Sequence, residues 1–343
     1  MKKLIGILAV LAAGLIIDAH VGSNWSVFTI IMLVIGFVLL IKGADFFVDG
    51  SSSVARQFKI PGLIIGMTIV AMGTSLPELS VSVTSSIAGH NQLAVSNVVG
   101  SNIFNLMVVL GASALFSSLA VEDAVIKIDL PFSIIAAAVL AVMSFTIGKV
   151  NRVCGIILLA MFAFFIGMML KRAMTARKTA AEEAEEKEVD EDIKILPIWQ
   201  SLIYIAGGIA CIKFGGDFVV NSSVTIARTL GVTETLIGLT IVACGTSLPE
   251  LATSIVAARK NELDMAVGNA IGSNIFNILA ILGIAAVITP VAITFENTID
   301  TLVLIAFSIV VWLFCFRSKK LGKPAGITMM AMYAVYLVYI CIR

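Results

Sequence analysis

Charged residues are scarce in this sequence. Asp, Glu, Lys and Arg together make up 13% of its 343 residues, whereas soluble domains carry about 25%. Apolar residues make up 59%, and the mean hydropathy is +1.06. This shortage of charge excludes an ordinary soluble fold and indicates an integral membrane protein built mostly of helices.

Cysteine, histidine and excess charge of one sign are also scarce. The five cysteines are scattered through apolar stretches and form no Cys-x-x-Cys pair, which is typical of small buried side chains and not of a disulfide framework. The formal net charge is +1, and no basic patch alternates with aromatic residues. Nucleic acid is therefore excluded as a partner. No organic cofactor and no obligatory protein partner is expected.

The long apolar runs form two sets of five. They lie near 27–48, 61–88, 93–116, 131–148 and 153–170, and near 199–220, 235–257, 263–288, 301–316 and 325–341. The stretch 171–197 between them begins basic, becomes acidic and has no apolar stripe, so it is predicted to be a solvated linker, in part helical at most. We therefore expect an all-α integral membrane protein with a segment at 1–25, a first five-helix repeat at 26–170, a linker at 171–197 and a second repeat at 198–343.

Two polar motifs occur twice in this apolar chain. Gly73–Glu78 reads Gly-Thr-Ser-Leu-Pro-Glu and recurs at Gly245–Glu250, while Gly100–Asn105 reads Gly-Ser-Asn-Ile-Phe-Asn and recurs at Gly272–Asn277. The offset is 172 residues in both cases, and 65–105 aligned on 237–277 gives 23 identities in 41 positions. Five crossings is an odd number, so the second repeat must enter the membrane inverted. Inverted repeats with helices broken at mid-membrane are typical of secondary transporters.

Lysine and arginine positions predict the topology. If the linker is cytoplasmic, fifteen of these residues lie on its side of the membrane and four on the other. The fifteen are Arg56, Lys59, Lys127, Lys171, Arg172, Arg177, Lys178, Lys187, Lys194, Arg259, Lys260, Arg317, Lys319, Lys320 and Lys323, and the four are Lys149, Arg152, Arg228 and Arg343. Cytoplasmic loops carry the excess of positive charge. We therefore expect a multi-pass protein of a bacterial or archaeal inner membrane with a cytoplasmic linker.

Residues 1–25 lie outside the repeat. They contain Lys2 and Lys3, an apolar run from Leu4 to Ile17, and Asp18. This pattern fits either a cleaved signal peptide or a short retained anchor. The retained anchor is favoured because no clear small-x-small cleavage site is present.

The first motif combines helix breakers with oxygen ligands. Pro77 cannot donate a backbone hydrogen bond, and Gly73 weakens the helix as well, so the helix should open near 71–77 and free carbonyl groups. In a bilayer, free carbonyls persist only where they line a cavity or bind something. Glu78 adds a carboxylate, and Thr74 and Ser75 add hydroxyls. An all-oxygen ligand set suits hard cations such as Na⁺ and Ca²⁺ and argues against zinc or copper.

The second motif can complete the ligand shell. Ser101 and Asn105 are four residues apart and share one helix face, and Gly100 is expected to break the preceding turn. The second repeat supplies Thr246, Ser247, Glu250, Ser273 and Asn277. Inversion about an axis at mid-membrane would bring both sets to one centre. Two intramembrane glutamates, each beside a proline and hydroxyls, therefore predict a shared cation site.

Other polar residues have simpler interpretations. Asp45, Asp49 and Asp217 lie near the predicted ends of the first helix of each repeat, and Lys42 and Lys213 are interpreted as reaching along the helix to the membrane interface. The two glutamates could also be an acid and a base of an intramembrane hydrolase. That alternative lacks an asymmetric pair of environments, because the two motifs are identical.

The paired motifs resemble the two alpha repeats of the calcium/cation antiporter superfamily, and most closely its prokaryotic sodium/calcium exchanger branch. The resemblance covers roughly 27–343. It implies ten core helices, with the second, third, seventh and eighth forming the ion site. It also implies a ligand set made of Glu78 and Glu250 as shared central ligands, the backbone carbonyls of Ala71 and Ala243, Thr74 and Thr246, and Ser75, Ser101, Ser247 and Ser273.

The resemblance implies a transporter and not an enzyme. The expected activity is exchange of Na⁺ for Ca²⁺, with Ca²⁺ extruded by alternating access, and the expected partners are membrane lipid and these two ions. Some relatives carry Asp where Asn277 stands, notably potassium-dependent exchangers, and this difference weakens the case for potassium transport. A calcium/proton antiporter, or an antiporter of another divalent cation, is the alternative, because two protons would also neutralise the glutamates.

Overall fold

The structure is a computed structural model that describes residues 3–11, 27–87, 92–184, 196–232 and 243–342. Helices make up almost all of it. They are α1 (3–11), α2 (Val27–Gln57), α3 (Gly62–Thr74), α4 (Leu76–Ile87), α5 (Gln92–Phe104, continuing through a π-helical turn at Asn105–Val109 into Leu110–Phe116), α6 (Val125–Ile147), α7 (Arg152–Ala184), α8 (Ile198–Thr229), α9 (Ala243–Gly245), α10 (Leu248–Arg259), α11 (Leu263–Ile288, with a π-helical turn at Asn277–Ile281), α12 (Phe295–Ser318) and α13 (Lys323–Ile342). Four strands of two residues each are β1 (Leu119–Ala120), β2 (Lys149–Val150), β3 (Val291–Ala292) and β4 (Lys320–Leu321).

The helices confirm an all-α membrane fold. Within the described ranges, eight helices are long and apolar enough to cross a membrane, namely α2, α5, α6, α7, α8, α11, α12 and α13. Helices α3 and α4 together make a ninth span, which bends by 48°. The span predicted over 235–257 is described only from Ala243 onward, as α9 and α10, because residues 233–242 lie outside the described part.

The short strands show that the repeats are inverted. Strand β1 pairs with β4, and β2 pairs with β3. The 172-residue offset relates β1 to β3 and β2 to β4, so the repeat symmetry exchanges the two ribbons. These ribbons lie at opposite ends of α6, because β1 precedes that helix and β2 follows it. A rotation that exchanges the two ends of the bundle turns it over, as an axis in the membrane plane does.

Glycines let α2 and α8 approach each other closely. A Cβ atom on Gly43 would lie 2.8 Å from Cys211 Cβ and 3.0 Å from the carbonyl oxygen of Gly208. A Cβ on Gly208 would in turn lie 2.8 Å from the carbonyl oxygen of Gly43. Small residues bring helix backbones into contact where lipid supplies no hydrophobic driving force. Helices α2 and α8, one from each repeat, therefore form one tightly packed pair.

Contacts between loops define two faces of the bundle. The linker face carries the ion pairs Arg56–Glu262, Lys260–Asp49, Arg172–Asp129 and Lys319–Asp123, and the opposite face carries Lys149, Arg152 and the β2–β3 ribbon. The positively charged partners in these pairs were all predicted on the linker side. Hydrogen bonds from Lys319 and Lys127 lower the pKa of Asp123 to about 2, so its links keep their charge at physiological pH.

Several predicted helix limits are wrong. Helix α2 continues to Gln57 and α8 to Thr229, so Asp45, Asp49 and Asp217 lie inside long helices and not near their ends. Each of these carboxylates has a lysine partner, which compensates its charge and lets the helix continue. The break expected at Gly100 is also absent, since the helix runs through that residue from Gln92 to Phe104.

The two expected non-repeat segments are only partly described. Helix α7 continues past 171 to Ala184, so the first half of the predicted linker is helical, while residues 185–195 lie outside the described part. At the N-terminus, residues 3–11 are helical, and the side chain of Leu4 is 1% exposed and packs beside Gly207 of α8. The remainder of 1–25 also lies outside the described residues.

Candidate cation site

Both proline-bearing motifs break their helices at the same residue. Ser75 (φ −84°, ψ 14°) separates α3 from α4, and Ser247 (φ −92°, ψ 7°) precedes α10. The proline two residues later has no N–H to continue the hydrogen-bond ladder. The helix resumes at once, since Leu79 N donates to the Ser75 carbonyl at 3.1 Å and Leu251 N to the Ser247 carbonyl at 3.1 Å. The opening predicted over 71–77 is thus confined to a single turn.

The two glutamates lie in the first turn of the resumed helices, near the centre of the bundle. Glu78 in α4 and Glu250 in α10 are both 0% exposed. The N-terminal end of a helix carries partial positive charge and stabilises a carboxylate there. Each broken helix therefore aims a carboxylate and a helix N-terminus at the same place.

Each carboxylate is bound by a serine of the other repeat. Ser75 Oγ donates to Glu250 Oε1 at 2.7 Å, and Ser247 Oγ donates to Glu78 Oε1 at 3.1 Å. Reciprocal contacts of this kind are what a two-fold axis produces. The serine that ends one half of a broken helix thus reaches across the axis to the glutamate of the other repeat.

Further predicted residues surround this pair. Ser101 Oγ lies 3.5 Å from Glu78 Oε1 and 3.5 Å from Thr246 Oγ1, and Ser273 Oγ lies 3.5 Å from Glu250 Oε1 and from the carbonyl oxygen of Ala71. Thr74 Oγ1 donates to the same Ala71 carbonyl at 3.3 Å. Ala243 begins the short helix α9, three residues before Thr246. The structure therefore brings both serine pairs, both threonines and Ala71 around the two glutamates.

The second oxygen of each glutamate has no hydrogen-bond partner. Glu78 Oε2 and Glu250 Oε2 are both buried and unbonded among the described residues, and neither carboxylate is paired there with a lysine, arginine or histidine. An unpaired buried charge costs several kcal/mol. Two such charges about one centre need a compensating positive charge.

Asn105 and Asn277 begin the π-helical turns of α5 and α11 and are fully buried. Asn277 Nδ2 donates to Asn102 Oδ1 at 3.0 Å, which leaves Asn277 Oδ1 without a partner among the described residues. The amide oxygen and nitrogen of Asn105 are likewise unbonded there. Turns with π-helical geometry are common at functional sites. No hydrogen bond links either side chain directly to a glutamate within the described part.

Two asparagines that hold the glutamates in place were missed from the sequence. Asn97 Nδ2 donates to the Glu78 carbonyl oxygen at 3.3 Å and to Ser82 Oγ at 3.0 Å. Asn269 Nδ2 donates to the Glu250 carbonyl oxygen at 3.4 Å. Asn269 Oδ1 also accepts from Thr74 Oγ1 at 3.1 Å. The signal that could have found them was present, because both asparagines are identical across the 172-residue offset.

A second asparagine pair locks the central helices together. Asn102 Nδ2 donates to the Asn274 carbonyl oxygen at 3.0 Å, and Asn274 Nδ2 donates to the Asn102 carbonyl oxygen at 3.1 Å. This reciprocal contact joins α5 to α11. Helix α11 is 83% buried over its most apolar stretch, compared with 17% for α13 at the periphery. The site is thus held by the innermost helices of the bundle.

The chemistry of the centre suits a hard cation. Its ligand atoms are carboxylate, hydroxyl, amide and carbonyl oxygens, which Ca²⁺ and Na⁺ prefer over nitrogen or sulfur. Over the described ranges, no group of three or more His, Cys, Asp or Glu residues is placed to hold a metal ion. The site therefore combines two formal negative charges with many neutral oxygens.

Comparisons with known proteins agree with this geometry. The CaxA protein of Alkalimonas amylolytica is 40% identical over 297 residues, which cover 85% of this chain and 91% of CaxA. The sodium/calcium exchanger MaX1 of Methanosarcina acetivorans is 30% identical over 348 residues, which cover 90% of this chain and 97% of MaX1.

A solved structure and a family model extend the agreement. A structure of the sodium-calcium exchanger NCX_Mj matches 92% of this chain and 99% of its own at 29% identity, with a TM-score of 0.78. Residues 28–171 and 200–342 match the family model described as sodium/calcium exchanger protein. The resemblance read from the motifs is thereby confirmed, and the chain belongs to the sodium/calcium exchanger protein family.

Proposed function

We propose that the chain is a secondary antiporter that exchanges Na⁺ for Ca²⁺ and extrudes Ca²⁺. The observation that carries this proposal is the pair of buried glutamates. Each is bonded through Oε1 to a serine of the other repeat, and each keeps Oε2 unbonded within the described residues. A cation held between Glu78 and Glu250 would supply the missing partner for both oxygens.

The proposed ligand set contains charged and neutral oxygens. Glu78 and Glu250 supply the charge, and the neutral ligands are Thr74, Thr246, Ser75, Ser247, Ser101, Ser273, Asn105, Asn277 and the carbonyl groups of Ala71 and Ala243. Ca²⁺ takes six to eight oxygen ligands, and a set of this size can also divide among several Na⁺ ions. The same side chains would therefore serve both ions in turn.

Charge balance couples the two ion flows in this proposal. The empty site carries two negative charges in a region of low dielectric constant, and burying them unpaired costs several kcal/mol per charge. One Ca²⁺ or two Na⁺ would neutralise it. Only a loaded site can then cross cheaply between the two faces, so one ion species returns only when the other has left. Any extra Na⁺ per cycle would add the membrane potential as a driving force, about 2.3 kcal/mol per charge and 100 mV.

The architecture supplies the moving parts for alternating access. We assign the inverted repeats at 26–170 and 198–343 as the two halves around the site, and the linker at 171–197 as a cytoplasmic connection. The membrane would be a bacterial or archaeal inner membrane. Alternating access in folds with inverted repeats is largely a rigid-body motion of one part against another around a fixed site.

An enzymatic role for the glutamates has little support. A general acid and a general base need environments that push their pKa values apart. Glu78 and Glu250 have matching surroundings, each with a serine from the other repeat and an asparagine from the following helix. The symmetric environment favours shared binding of one ion over division of labour in a reaction.

The proposal is tested by uptake of ⁴⁵Ca²⁺ into proteoliposomes loaded with Na⁺. We expect uptake when the Na⁺ gradient is imposed and little uptake when a proton gradient replaces it. The E250Q variant, reconstituted at equal density, is the control for leak. Uptake driven by protons and indifferent to Na⁺ would contradict the proposal and favour the calcium/proton alternative.

A further inference from the structure

A polar cavity lies beside the glutamate site and is not explained by ion binding at its centre. Its volume is about 210 Å³, which is room for several water molecules. One end is lined by Thr246, whose hydroxyl lies 3.5 Å from Ser101 Oγ. The other end is lined by Lys213, Asp217 and Asn221 of α8. The cavity therefore begins one residue away from the hydroxyls that contact Glu78.

The cavity lies in the half of the bundle nearer the opposite face. Helix α8 runs from Ile198 on the linker face to Thr229, and its cavity-lining residues all lie from its midpoint toward Thr229. On the linker face, the repeat counterpart of Asp217 is Asp45. There Lys260 Nζ lies 2.9 Å from the Asp45 carbonyl oxygen and 2.8 Å from Asp49 Oδ1. The two faces thus differ, with a cavity on one and an ion-paired contact on the other.

Two opposite charges are the only formal charges that line this cavity. Lys213 Nζ lies 2.7 Å from Asp217 Oδ2 one helical turn away, and the two side chains are 41% and 44% exposed. The ammonium also lies 4.7 Å from the centre of the Phe214 ring. The expectation that Lys213 reaches to the membrane interface is therefore wrong, since it turns along α8 into the cavity instead.

The lysine is present on one side of the molecule only. Asp217 is matched by Asp45 in the first repeat, but the position that matches Lys213 is Ile41, which is 48% exposed on the outer surface of α2. The cavity thus has a positive charge that the repeat symmetry does not require. A positive charge beside the path of a cation is unfavourable unless a neighbouring charge cancels it.

We propose that the Lys213–Asp217 pair sets the preference of the transporter for Ca²⁺ over Na⁺ at this face. The inference rests on the proposed function and adds two specificity-determining residues to it. The energy of an ion in the field of a fixed charge is proportional to the charge of the ion. A change of one unit charge in the cavity therefore acts twice as strongly on Ca²⁺ as on Na⁺, and the balance within the pair tunes the ratio of their affinities.

The test measures the half-saturating concentrations of Ca²⁺ and Na⁺ at the opposite face, in oriented proteoliposomes. For D217N, which leaves Lys213 unbalanced, we expect the Ca²⁺ value to rise about tenfold and the Na⁺ value about threefold, as a charge interaction of this kind at 8–10 Å gives in a solvated cavity. For K213Q we expect both values to fall in the same ratio. The maximal rates should stay close to those of the wild type.

Three further measurements separate charge from structure. The double variant D217N/K213Q should return both values toward the wild type, and D217E should keep them. The shifts should shrink at high ionic strength, because salt screens a cavity open to water. Equal effects on Ca²⁺ and Na⁺, or changes of the same sign in D217N and K213Q, would overturn the inference. A wild-type protein that exchanges no Na⁺ for Ca²⁺ would instead refute the proposed function.

Discussion

At the scale of single residues, each glutamate uses its two oxygens differently. Oε1 accepts the hydrogen bond from the serine of the other repeat, which fixes the orientation of the carboxylate, and Oε2 remains without a partner among the described residues. Because the contact is reciprocal, a change at one glutamate also removes the acceptor of a serine from the other repeat. The two motifs therefore act as one unit and not as two independent sites.

The first prediction concerns these carboxylates. Glu78→Gln and Glu250→Gln should each abolish Na⁺-driven Ca²⁺ uptake or reduce it more than a hundredfold, without preventing membrane insertion. Glutamine keeps the volume and one carbonyl oxygen but removes a charge, and the lost charge-assisted interaction is worth a few kcal/mol, where 1.4 kcal/mol is tenfold in affinity. Initial rates of ⁴⁵Ca²⁺ uptake at matched protein density measure the effect.

Asn105→Ala and Asn277→Ala are the matched controls. They remove neutral ligands that water can replace, so uptake should fall by about tenfold or less. The order is the decisive part of this experiment. A glutamine variant that transports at nearly the wild-type rate, beside an inactive alanine variant, would show that the glutamates are not the central ligands.

What could be predicted for single residues follows from the duplication. The motif residues stood out because a carboxylate, hydroxyls and a proline recur together in an apolar chain. Asn97 and Asn269 recur as well, but an isolated asparagine carries no sign of whether it binds an ion, a helix or a neighbouring carbonyl. Only the folded chain shows Asn97 bonded to the Glu78 carbonyl oxygen and to Ser82.

At the scale of helices, two features position the site, the proline breaks and the glycine contacts. The breaks place each glutamate at a helix N-terminus. The glycine contacts bring α2 and α8 so close that a Cβ on Gly43 would lie 2.8 Å from Cys211 Cβ. The packed pair crosses beside the broken helices, as the proximity of Gly73 to Phe47 and Ile209 shows.

The second prediction tests this close packing. Gly43→Ala should destabilise the protein by about 1–3 kcal/mol, because the added methyl group meets backbone atoms that cannot yield. Gly167→Ala on the exposed side of α7 is the control, since an added Cβ there meets nothing within 4 Å. Thermal unfolding of the purified proteins in detergent is the measurement. Equal midpoints for the two variants would show that α2 and α8 are not tightly packed in solution.

The third prediction concerns the ion-paired contact on the linker face. Lys260 links the loop after α10 to Asp45 and Asp49 of α2, so Lys260→Gln should favour opening of that face. The reaction of an impermeant maleimide with Ser52→Cys, on a background without the five native cysteines, reports the opening. We expect the labelling rate from the linker face to rise severalfold.

Lys127→Gln is the control for this experiment. It removes an exposed pair with Asp123 on the same face, where the side chains are 70% and 49% exposed, and such surface pairs contribute little. Its labelling rate should match that of the parent protein. Equal labelling in Lys260→Gln and the parent would mean that the contact does not hold the linker face closed.

Helix ends were the least predictable feature at this scale. The polar residues of α2 and α8 suggested that the membrane helices stop near 48 and 220, but both continue by about nine residues. Each carboxylate in these stretches has a lysine partner, and two of those lysines lie in the same helix one turn away. Apolar runs read from sequence cannot show that such a charge is already balanced.

At the scale of the whole molecule, the inverted repeats explain both the symmetry of the site and its departures. The exchange of the β1–β4 and β2–β3 ribbons follows the 172-residue offset. The sequence predicted this inversion from an odd number of apolar runs. The asymmetry between the faces could not be predicted, because it depends on how Lys213 and Lys260 lie in the folded chain.

The fourth prediction concerns the linker between the repeats. Replacing 185–192 with a flexible Gly-Ser segment of equal length should leave Na⁺-driven Ca²⁺ uptake within about twofold of the wild type. The stretch is strongly acidic and has neither apolar periodicity nor the ligand spacing of a calcium-binding loop. Loss of uptake in correctly inserted protein would mean that the linker regulates the transporter or contributes to its site.

The account depends most on one claim, that Ca²⁺ and Na⁺ compete for a single site shared by Glu78 and Glu250. Equilibrium binding of ⁴⁵Ca²⁺ to the purified protein, titrated with Na⁺, tests it without any transport step. The account predicts that Na⁺ displaces all bound Ca²⁺ and that Glu78→Gln and Glu250→Gln bind Ca²⁺ at least tenfold more weakly. Ca²⁺ binding that persists at saturating Na⁺, or that is unchanged in both variants, would contradict it.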